Sequence, residues 1–99
     1  MSGRAASVRP VADAFVYVLR CVDGSLYTGW TIDLDRRLAA HAAGTGSRYT
    51  RARLPVVLAA SWPMPDRTAA RREEARIKRL TRAEKLSLLA GAARTTPPA

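Results

Sequence analysis

The sequence predicts a small α/β domain of the α+β type, in which a three-stranded, mainly antiparallel sheet is flanked by about three helices. Two short segments rich in aromatic and β-branched residues flank an Asp23-Gly24 pair, which is typical of a β-hairpin. A third apolar segment follows later, and three more segments combine apolar periodicity with helix-capping residues. The 99 residues are enough for one domain of this kind.

The first two strands are predicted at residues 15–21 and 26–31, where side chains alternate between the two faces. The length of the loop between them decides whether Tyr17 and Tyr27 share a face. A two-residue turn puts the two phenols on opposite faces, whereas a three-residue loop with a bulge at Gly24 puts them on one face as diagonal neighbours. The sequence leaves both registers open.

The first helix is predicted to begin at a Thr31 or Asp33 cap and to end near residue 43, because two glycines follow. At about 100° per residue, Arg37 and His41 lie one turn apart beside the buried stripe of this helix. Arg36 points outward in the same projection. The sequence therefore selects Arg37 and His41 as the inward-facing polar residues.

Residues 44–53 are predicted to form a flexible basic loop. Arginines suit contacts to phosphate, and a tyrosine among them suits stacking on a base. A solvated loop with no such role is the alternative. The candidate nucleic-acid-binding residues of the loop are Arg48, Tyr49, Arg51 and Arg53.

The next segment, residues 56–62, has the continuous apolar pattern of a strand that is buried on both faces. Pro63 and Pro65 are expected to end this strand. Asp66 follows and can cap a second helix that extends to about residue 80.

A third helix is predicted to open at the capping box formed by Thr81 and Glu84, to extend to about residue 90, and to end at Gly91. The polar, aperiodic ends of the chain lie outside the predicted domain. The predicted divisions are a flexible arm at residues 1–13, a domain at residues 14–90 and a disordered tail at residues 91–99.

The net charge of +9 is the strongest feature of the composition, and eleven of the seventeen Lys and Arg residues lie after residue 50. A positive field favours a polyanionic partner, most often nucleic acid. No apolar stretch approaches the roughly 18 residues of a membrane span, and the N-terminal residues do not resemble a secretory signal. We therefore expect a cytoplasmic protein with no membrane partner.

Several catalytic chemistries fit this composition poorly. No pattern links the single His41 to a serine nucleophile, and one histidine with the single Cys21 does not make a zinc site. A combination of Tyr, Arg, His and Glu in a basic chain instead suits hydrolysis of a phosphodiester, whose charge an arginine and a divalent cation can offset. A phenol can accept a proton there if positive charge lowers its pKa.

An ordered set of motifs runs through the chain. Its members are Phe15-Val16-Tyr17, Tyr27-Thr28-Gly29, Arg37, His41 and a downstream helical glutamate, together with the segments DLDRRLAAH, GTGSRYTR and EARIKRLTRAEK. This set, which covers about residues 15–89, resembles the GIY-YIG nuclease superfamily, in particular its small stand-alone, single-domain subfamily. The resemblance implies a metal-dependent endonuclease that hydrolyses DNA phosphodiester bonds in DNA repair or recombination.

The resemblance also implies roles for individual residues. Tyr27 would be the general base for the attacking water, and Tyr17 would bind phosphate or orient that water. Arg37 would stabilise the charge of the transition state. His41 would be an auxiliary polar residue near the phosphate that helps proton transfer.

A glutamate on the second helix would bind one Mg²⁺ or Mn²⁺ ion, with water and phosphate oxygens as the other ligands. The family spacing selects Glu74, whereas the helical phase leaves Glu73 as an alternative. Lys78 on the same helix joins the candidate nucleic-acid-binding residues. Trp30 stands where some family nucleases have a lysine, and the chain contains no Asn.

Two other functions are compatible with these residues. The first is a non-catalytic module that retains the nuclease fold and binds DNA or RNA. The second, from charge and size alone, is a protein that accompanies RNA or the ribosome. For the endonuclease we expect DNA, with RNA as the alternative, as the substrate, and a protein partner for targeting.

Overall fold

The computed structural model describes residues 12–95 of the chain, and it has the predicted α+β architecture. One antiparallel sheet has the strand order β2-β1-β3, so β1 is the central strand. The elements are β1 at Ala14–Arg20, β2 at Leu26–Thr31, α1 at Leu34–Ala42, α2 at Arg48–Arg51, β3 at Val57–Met64, α3 at Arg67–Lys78 and α4 at Arg82–Thr95.

The β1–β2 hairpin has the three-residue loop, so the register that the sequence left open is settled. The loop closes with a hydrogen bond from the Cys21 N–H to the Ser25 carbonyl oxygen at 2.9 Å, and Gly24 adopts a φ of 85°. Tyr17 consequently pairs with Gly29 across the ladder, and Leu19 pairs with Tyr27. Because paired residues point to the same side of a sheet, both tyrosines lie on one face.

The two faces of β1 have different environments. Val16 and Val18 point into an apolar core that α3 and α4 complete with Ala70, Ile77 and Leu89. The opposite face carries Tyr17 and Leu19, both of which are also buried, and the α1 helix approaches Tyr17 there through His41. The central strand is therefore buried on both sides, and the apolar core and the polar cluster lie on opposite faces of one sheet.

The prediction that residues 56–62 are a strand buried on both faces was wrong. β3 is an edge strand, and Val57 and Leu58 at its start are 59% and 43% exposed. It also extends through Pro63 to Met64, which an edge strand allows because one side of its backbone has no partner to bond. A continuous apolar sequence does not by itself distinguish an edge strand from a central one.

Most helix ends are where the capping residues predict them. Asp33, not Thr31, caps α1, and its side chain accepts a hydrogen bond from the Arg36 N–H at 3.1 Å. Asp66 caps α3 in the same way through the Ala69 N–H. The reciprocal capping box is formed by Thr81 and Glu84, with hydrogen bonds of 2.8 and 3.1 Å. Gly44, with a φ of 83°, follows the end of α1.

Two predictions about helices need correction. The basic loop is not uniformly flexible, because residues 48–51 form the one-turn helix α2, whose N-cap Ser47 accepts a hydrogen bond from the Thr50 N–H. Helix α4 continues through Gly91 to Thr95 instead of ending at Gly91. The predicted arm falls outside the described residues except for residues 12 and 13, as do residues 96–99 of the predicted tail.

Within residues 12–95, none of the helices has the length and apolar character that crossing a membrane requires.

Candidate active site

A hydrogen bond between Tyr17 and His41 lies at the centre of the polar face. The Tyr17 hydroxyl is 2.8 Å from His41 Nε2, and each of the two side chains is 1% exposed. The other ring nitrogen, Nδ1, is 2.8 Å from the Thr50 hydroxyl, which is in turn 2.9 Å from the Ser47 hydroxyl. The imidazole is thus fixed at both nitrogens, and α2 is the element that fixes its outer side.

This packing requires two glycines. A Cβ at Gly29 would lie 2.5 Å from the Tyr17 hydroxyl oxygen and 2.7 Å from Cζ of the same ring. A Cβ at Gly46 would overlap His41 Nδ1. Any larger residue at either position would therefore displace a member of the Tyr17–His41 pair.

Both members of the pair are neutral near pH 7. Burial, and then the nearby Tyr27 phenol, raise the pKa of Tyr17 above its ordinary value; the positive charge of Arg37 opposes the rise, and Glu74 adds to it. Burial, and then Arg37, lower the pKa of His41. The Tyr17 hydroxyl and Nε2 share one hydrogen bond, and Nδ1 and the Thr50 hydroxyl share another, and the imidazole tautomer sets the direction of each. Tyr17 is suited to orient a ligand and is a poor proton acceptor.

Tyr27 lies next to this pair and is less constrained. Its ring centroid is 6.5 Å from that of Tyr17 and 5.3 Å from that of His41. Tyr27 is half-buried, and its hydroxyl group makes no hydrogen bond within the described part of the chain. The Tyr49 ring stacks on it with a centroid distance of 5.9 Å and an interplanar angle of 27°.

The sequence assigned Arg37 to the inner side of α1, but the Arg37 side chain is exposed to solvent, as is that of Arg36. The positive charge of Arg37 acts on the buried Tyr17 and His41. An exposed guanidinium beside a buried phenol is free to contact an anionic ligand. His41, in contrast, is buried and hydrogen-bonded to Tyr17. It would therefore act on a phosphate through Tyr17 and not by direct contact, which differs from the expectation that it lies near the phosphate.

The two glutamates of α3 have different surroundings. The buried residues Ala70 and Ile77 define the inner face of the helix, and Glu73 and Glu74 lie about 50° to either side of it. Glu73 accepts two hydrogen bonds from Arg76, at 2.9 and 2.7 Å. The negative charge of Glu74 acts on Tyr17 and adds to the rise of its pKa.

A metal ion at Glu74 would have a single carboxylate ligand among the His, Cys, Asp and Glu clusters of residues 12–95. No three His, Cys, Asp or Glu side chains come together as a metal site anywhere in residues 12–95. One carboxylate fits Mg²⁺ or Mn²⁺, because such ions commonly keep several waters and use one or two carboxylates plus substrate phosphate oxygens. Lys78 Nζ is 3.1 Å from a Glu74 carboxylate oxygen, so this ion pair would have to open first.

The structure separates the candidate nucleic-acid-binding residues into two groups. Arg48 and Arg51 are exposed on α2, and their side chains form no hydrogen bond or ion pair with the rest of the described chain. The other three have intramolecular partners. Tyr49 stacks on Tyr27, Arg53 pairs with Asp23, and Lys78 pairs with Glu74.

Residues near the site that the sequence did not identify fall into two sets. Ser47 and Thr50 hold His41, and the Ser-x-x-Thr spacing of a one-turn helix cap is the signal that could have indicated them. Thr68, Arg71 and Arg72 line a shallow depression with Glu74. Arginines one turn before a candidate metal ligand are a weak signal in a chain with this many arginines.

Comparison with known proteins matches the part of the chain that contains the candidate site residues. A family model described as the GIY-YIG catalytic domain matches residues 13–87. A UPF0213 protein of Xanthomonas axonopodis pv. citri is 54% identical over 80 residues, which are 81% of this chain and 78% of that protein. A UPF0213 protein of Halalkalibacterium halodurans is 48% identical over 75 residues, which are 76% and 80% of the two chains.

Two solved structures are also similar to this chain. The solution NMR structure of a UPF0213 protein from Bacillus halodurans has a TM-score of 0.53 at 47% identity, and the match covers 78% of this chain and 82% of that one. The solution NMR structure of a protein from E. faecalis has a TM-score of 0.58 at 35% identity, with coverages of 92% and 96%.

Proposed function

The chain belongs to the GIY-YIG family, and on this basis we propose that it is a metal-dependent endonuclease that hydrolyses DNA phosphodiester bonds in DNA repair or recombination. The observation that carries the proposal is the shared face of Tyr17 and Tyr27, with the charges of Arg37 and Glu74 both acting on Tyr17. A phosphodiester hydrolase needs a proton acceptor, a cation for the transition state and a carboxylate for a metal ion. Of these four residues, Tyr27 provides the proton acceptor, Arg37 the cation and Glu74 the carboxylate. Tyr17 provides a second phenol.

The surroundings of the two phenols support different roles for them. Tyr17 is buried and hydrogen-bonded to His41, so we assign it to orienting the phosphate or the attacking water. The Tyr27 hydroxyl has no hydrogen-bond partner in the described part of the chain, and Tyr27 is the proposed general base. Arg37 would offset the charge that develops on the phosphate, and His41 would hold Tyr17 in position.

Glu74 would hold the Mg²⁺ or Mn²⁺ ion, which supplies positive charge to the phosphate and a site for water when bound. Arg48 and Arg51 would contact the phosphate backbone on one side of the site, and Arg71 and Arg72 would do so beside Glu74. DNA is the proposed substrate and RNA the alternative. The names of the relatives specify neither.

One observation favours the alternative of a non-catalytic nucleic-acid-binding module. Lys78 already neutralises Glu74, at 3.1 Å, and a module that never binds a metal ion would retain such a pair. This alternative predicts nucleic-acid binding that is indifferent to a chelator.

Cleavage of a panel of linear duplex, branched and single-stranded DNA, with RNA counterparts, in Mg²⁺ or Mn²⁺ tests the proposal. We expect Tyr27→Phe, Arg37→Ala and Glu74→Gln each to lower kcat by about 100-fold or more, with DNA affinity within a few-fold of wild type. Glu73→Gln is the matched control, because it removes the same charge from the next residue, and it should cleave normally.

A wild-type protein that binds the panel with and without chelator but cuts none of it would refute the endonuclease and support the binding module. If Glu73→Gln lowered kcat as much as Glu74→Gln, the assignment of Glu74 as the single metal-binding glutamate would be refuted.

A further inference from the structure

Tyr49 and Arg53 form a column with Tyr27. The Arg53 guanidinium carbon lies 3.8 Å from the centroid of the Tyr49 ring, and the Tyr49 ring stacks on Tyr27. Arg53 Nη1 also donates a hydrogen bond of 3.0 Å to the Tyr49 carbonyl oxygen. Arg53 therefore contacts both the ring and the backbone of the residue that covers Tyr27.

The column is attached to the β1–β2 hairpin at its other end. Arg53 Nε donates to Asp23 Oδ2 at 3.1 Å, and the Val22 N–H donates to the Arg53 carbonyl oxygen at 3.1 Å. Asp23 belongs to the turn that sets the register of Tyr27. The same hairpin thus carries Tyr27 and, through Asp23 and Arg53, the tyrosine that packs on it.

Tyr27 depends on this support more than Tyr17 does. The Tyr17 hydroxyl is held by His41, whereas the Tyr27 hydroxyl has no hydrogen-bond partner within residues 12–95. Contacts with neighbouring rings, those of Tyr17, His41 and Tyr49, are what orient Tyr27. Of these, only Tyr49 stacks on it at a small interplanar angle.

We propose that Tyr49 and Arg53 are positioning residues that hold the Tyr27 ring in its reactive orientation, and that Asp23 holds Arg53. This inference rests on the proposed function, in which Tyr27 is the general base. It replaces the expectation that Tyr49 stacks on a base and that Arg53 is a free phosphate ligand. A group that acts as a base must be placed within hydrogen-bond distance of its water, so small displacements of the ring are costly.

Arg53→Lys separates a positioning role of Arg53 from a phosphate-binding role, because it retains the positive charge but loses the planar guanidinium. Positioning predicts that kcat falls about tenfold while KM stays within twofold and thermal unfolding is unchanged. Tyr49→Leu should lower kcat by a similar or larger factor, and Tyr49→Phe should recover most of that loss because it keeps the ring. Arg51→Ala, on the same segment, should instead raise KM.

A second measurement does not require cleavage. The chain has three tyrosines, so their ring signals can be assigned in a ¹H–¹³C aromatic NMR spectrum. Arg53→Lys and Tyr49→Leu should both shift the Tyr27 ring signals, although Arg53 contacts Tyr49 and not Tyr27.

Unmoved Tyr27 signals in both variants would overturn the positioning role. An Arg53→Lys protein with wild-type kcat, or an Arg53→Ala protein altered only in KM, would overturn it as well and identify Arg53 as a phosphate ligand. If the wild-type protein cleaves nothing while the Tyr27 signals shift, the endonuclease proposal fails and the contact between the column and Tyr27 stands.

Discussion

Tyr17 and Tyr27 have the same side chain, and their surroundings make them chemically different. Tyr17 is almost fully buried, its pKa is raised, and it is hydrogen-bonded to a histidine whose own pKa is lowered. Tyr27 is half-buried, and its hydroxyl group bonds to none of the residues that the structure describes. The motif order in the sequence identifies both residues but does not show which is buried, because burial depends on α1 and α2 as much as on the strands.

The residues that the sequence could not assign are those whose partners lie far along the chain. The 100° projection of α1 placed Arg37, and not Arg36, on the inner side of the helix, whereas both side chains are exposed in the structure. The pairing of Arg53 with Asp23 joins positions 30 residues apart, and that of Tyr49 with Tyr27 joins positions 22 apart. No local pattern encodes these contacts, and Arg53 was therefore assigned to phosphate by its charge alone.

His41 makes a prediction about the pH dependence of stability. Its pKa is lowered in the folded protein, so between about pH 6.5 and the lower folded value the unfolded chain binds more protons. The free energy of unfolding should therefore fall as pH decreases from 7 through 5.5. His41 is the only histidine, so His41→Gln should remove this slope, although it lowers stability at pH 7 by about 1–3 kcal/mol through lost hydrogen bonds.

Urea unfolding at a series of pH values measures this effect in both proteins. A wild-type stability that is flat or rises as pH falls from 7 to 5.5, or a His41→Gln protein with an unchanged slope, would contradict the prediction.

At the scale of elements, capping residues and turn chemistry predicted most of what the structure contains. β2 has the predicted bounds, α1 and α3 begin at aspartate caps, and the capping box opens α4. The prediction for β3 was wrong about burial. Its continuous apolar sequence is compatible with a partly exposed edge strand as well as with a strand that is buried on both faces. The four-residue α2 is too short for any periodicity, and only its serine cap indicates it.

The hairpin register gives a prediction that compares two glycines. Gly29→Ala places a Cβ against the Tyr17 hydroxyl and should destabilise the protein by about 1–3 kcal/mol, as overpacking does. It should also reduce cleavage, because the displaced phenol loses His41. Gly24→Ala has open space around it but a φ of 85°, so it should cost about 1–2 kcal/mol and leave cleavage intact.

Denaturant unfolding and cleavage rates of the two variants provide the measurement. If Gly29→Ala cleaved as well as Gly24→Ala, the close contact between β2 and Tyr17 would not be what fixes the site.

At the scale of the whole molecule, the sequence predicted the fold class and the family, because both depend on the order of elements and motifs and not on any single contact. It also gave the net charge but not its distribution in space. In the structure, exposed arginines lie on two elements that also carry candidate site residues. Arg48 and Arg51 lie on α2, whereas Arg71 and Arg72 lie on α3 beside Glu74.

This distribution predicts the salt dependence of DNA binding. Each phosphate contact contributes about −0.9 to the slope of log affinity against log salt concentration. The double variants Arg48→Gln/Arg51→Gln and Arg71→Gln/Arg72→Gln should therefore each make the slope shallower by about 2. Arg82→Gln/Lys85→Gln removes the same charge from α4, which packs on the apolar face of the sheet with Leu89, and should change the slope by less than 1.

Titrations of a labelled duplex at several salt concentrations, with chelator present, measure these slopes without interference from cleavage. Equal changes in all three double variants would mean that only net charge matters. If the α2 and α3 pairs differ from the α4 pair, the DNA must contact both α2, which carries Tyr49, and α3, which carries Glu74. That arrangement would bring the phosphate backbone to Tyr27 and Arg37 for catalysis, and it would do so whether or not Glu74 has exchanged Lys78 for a metal ion.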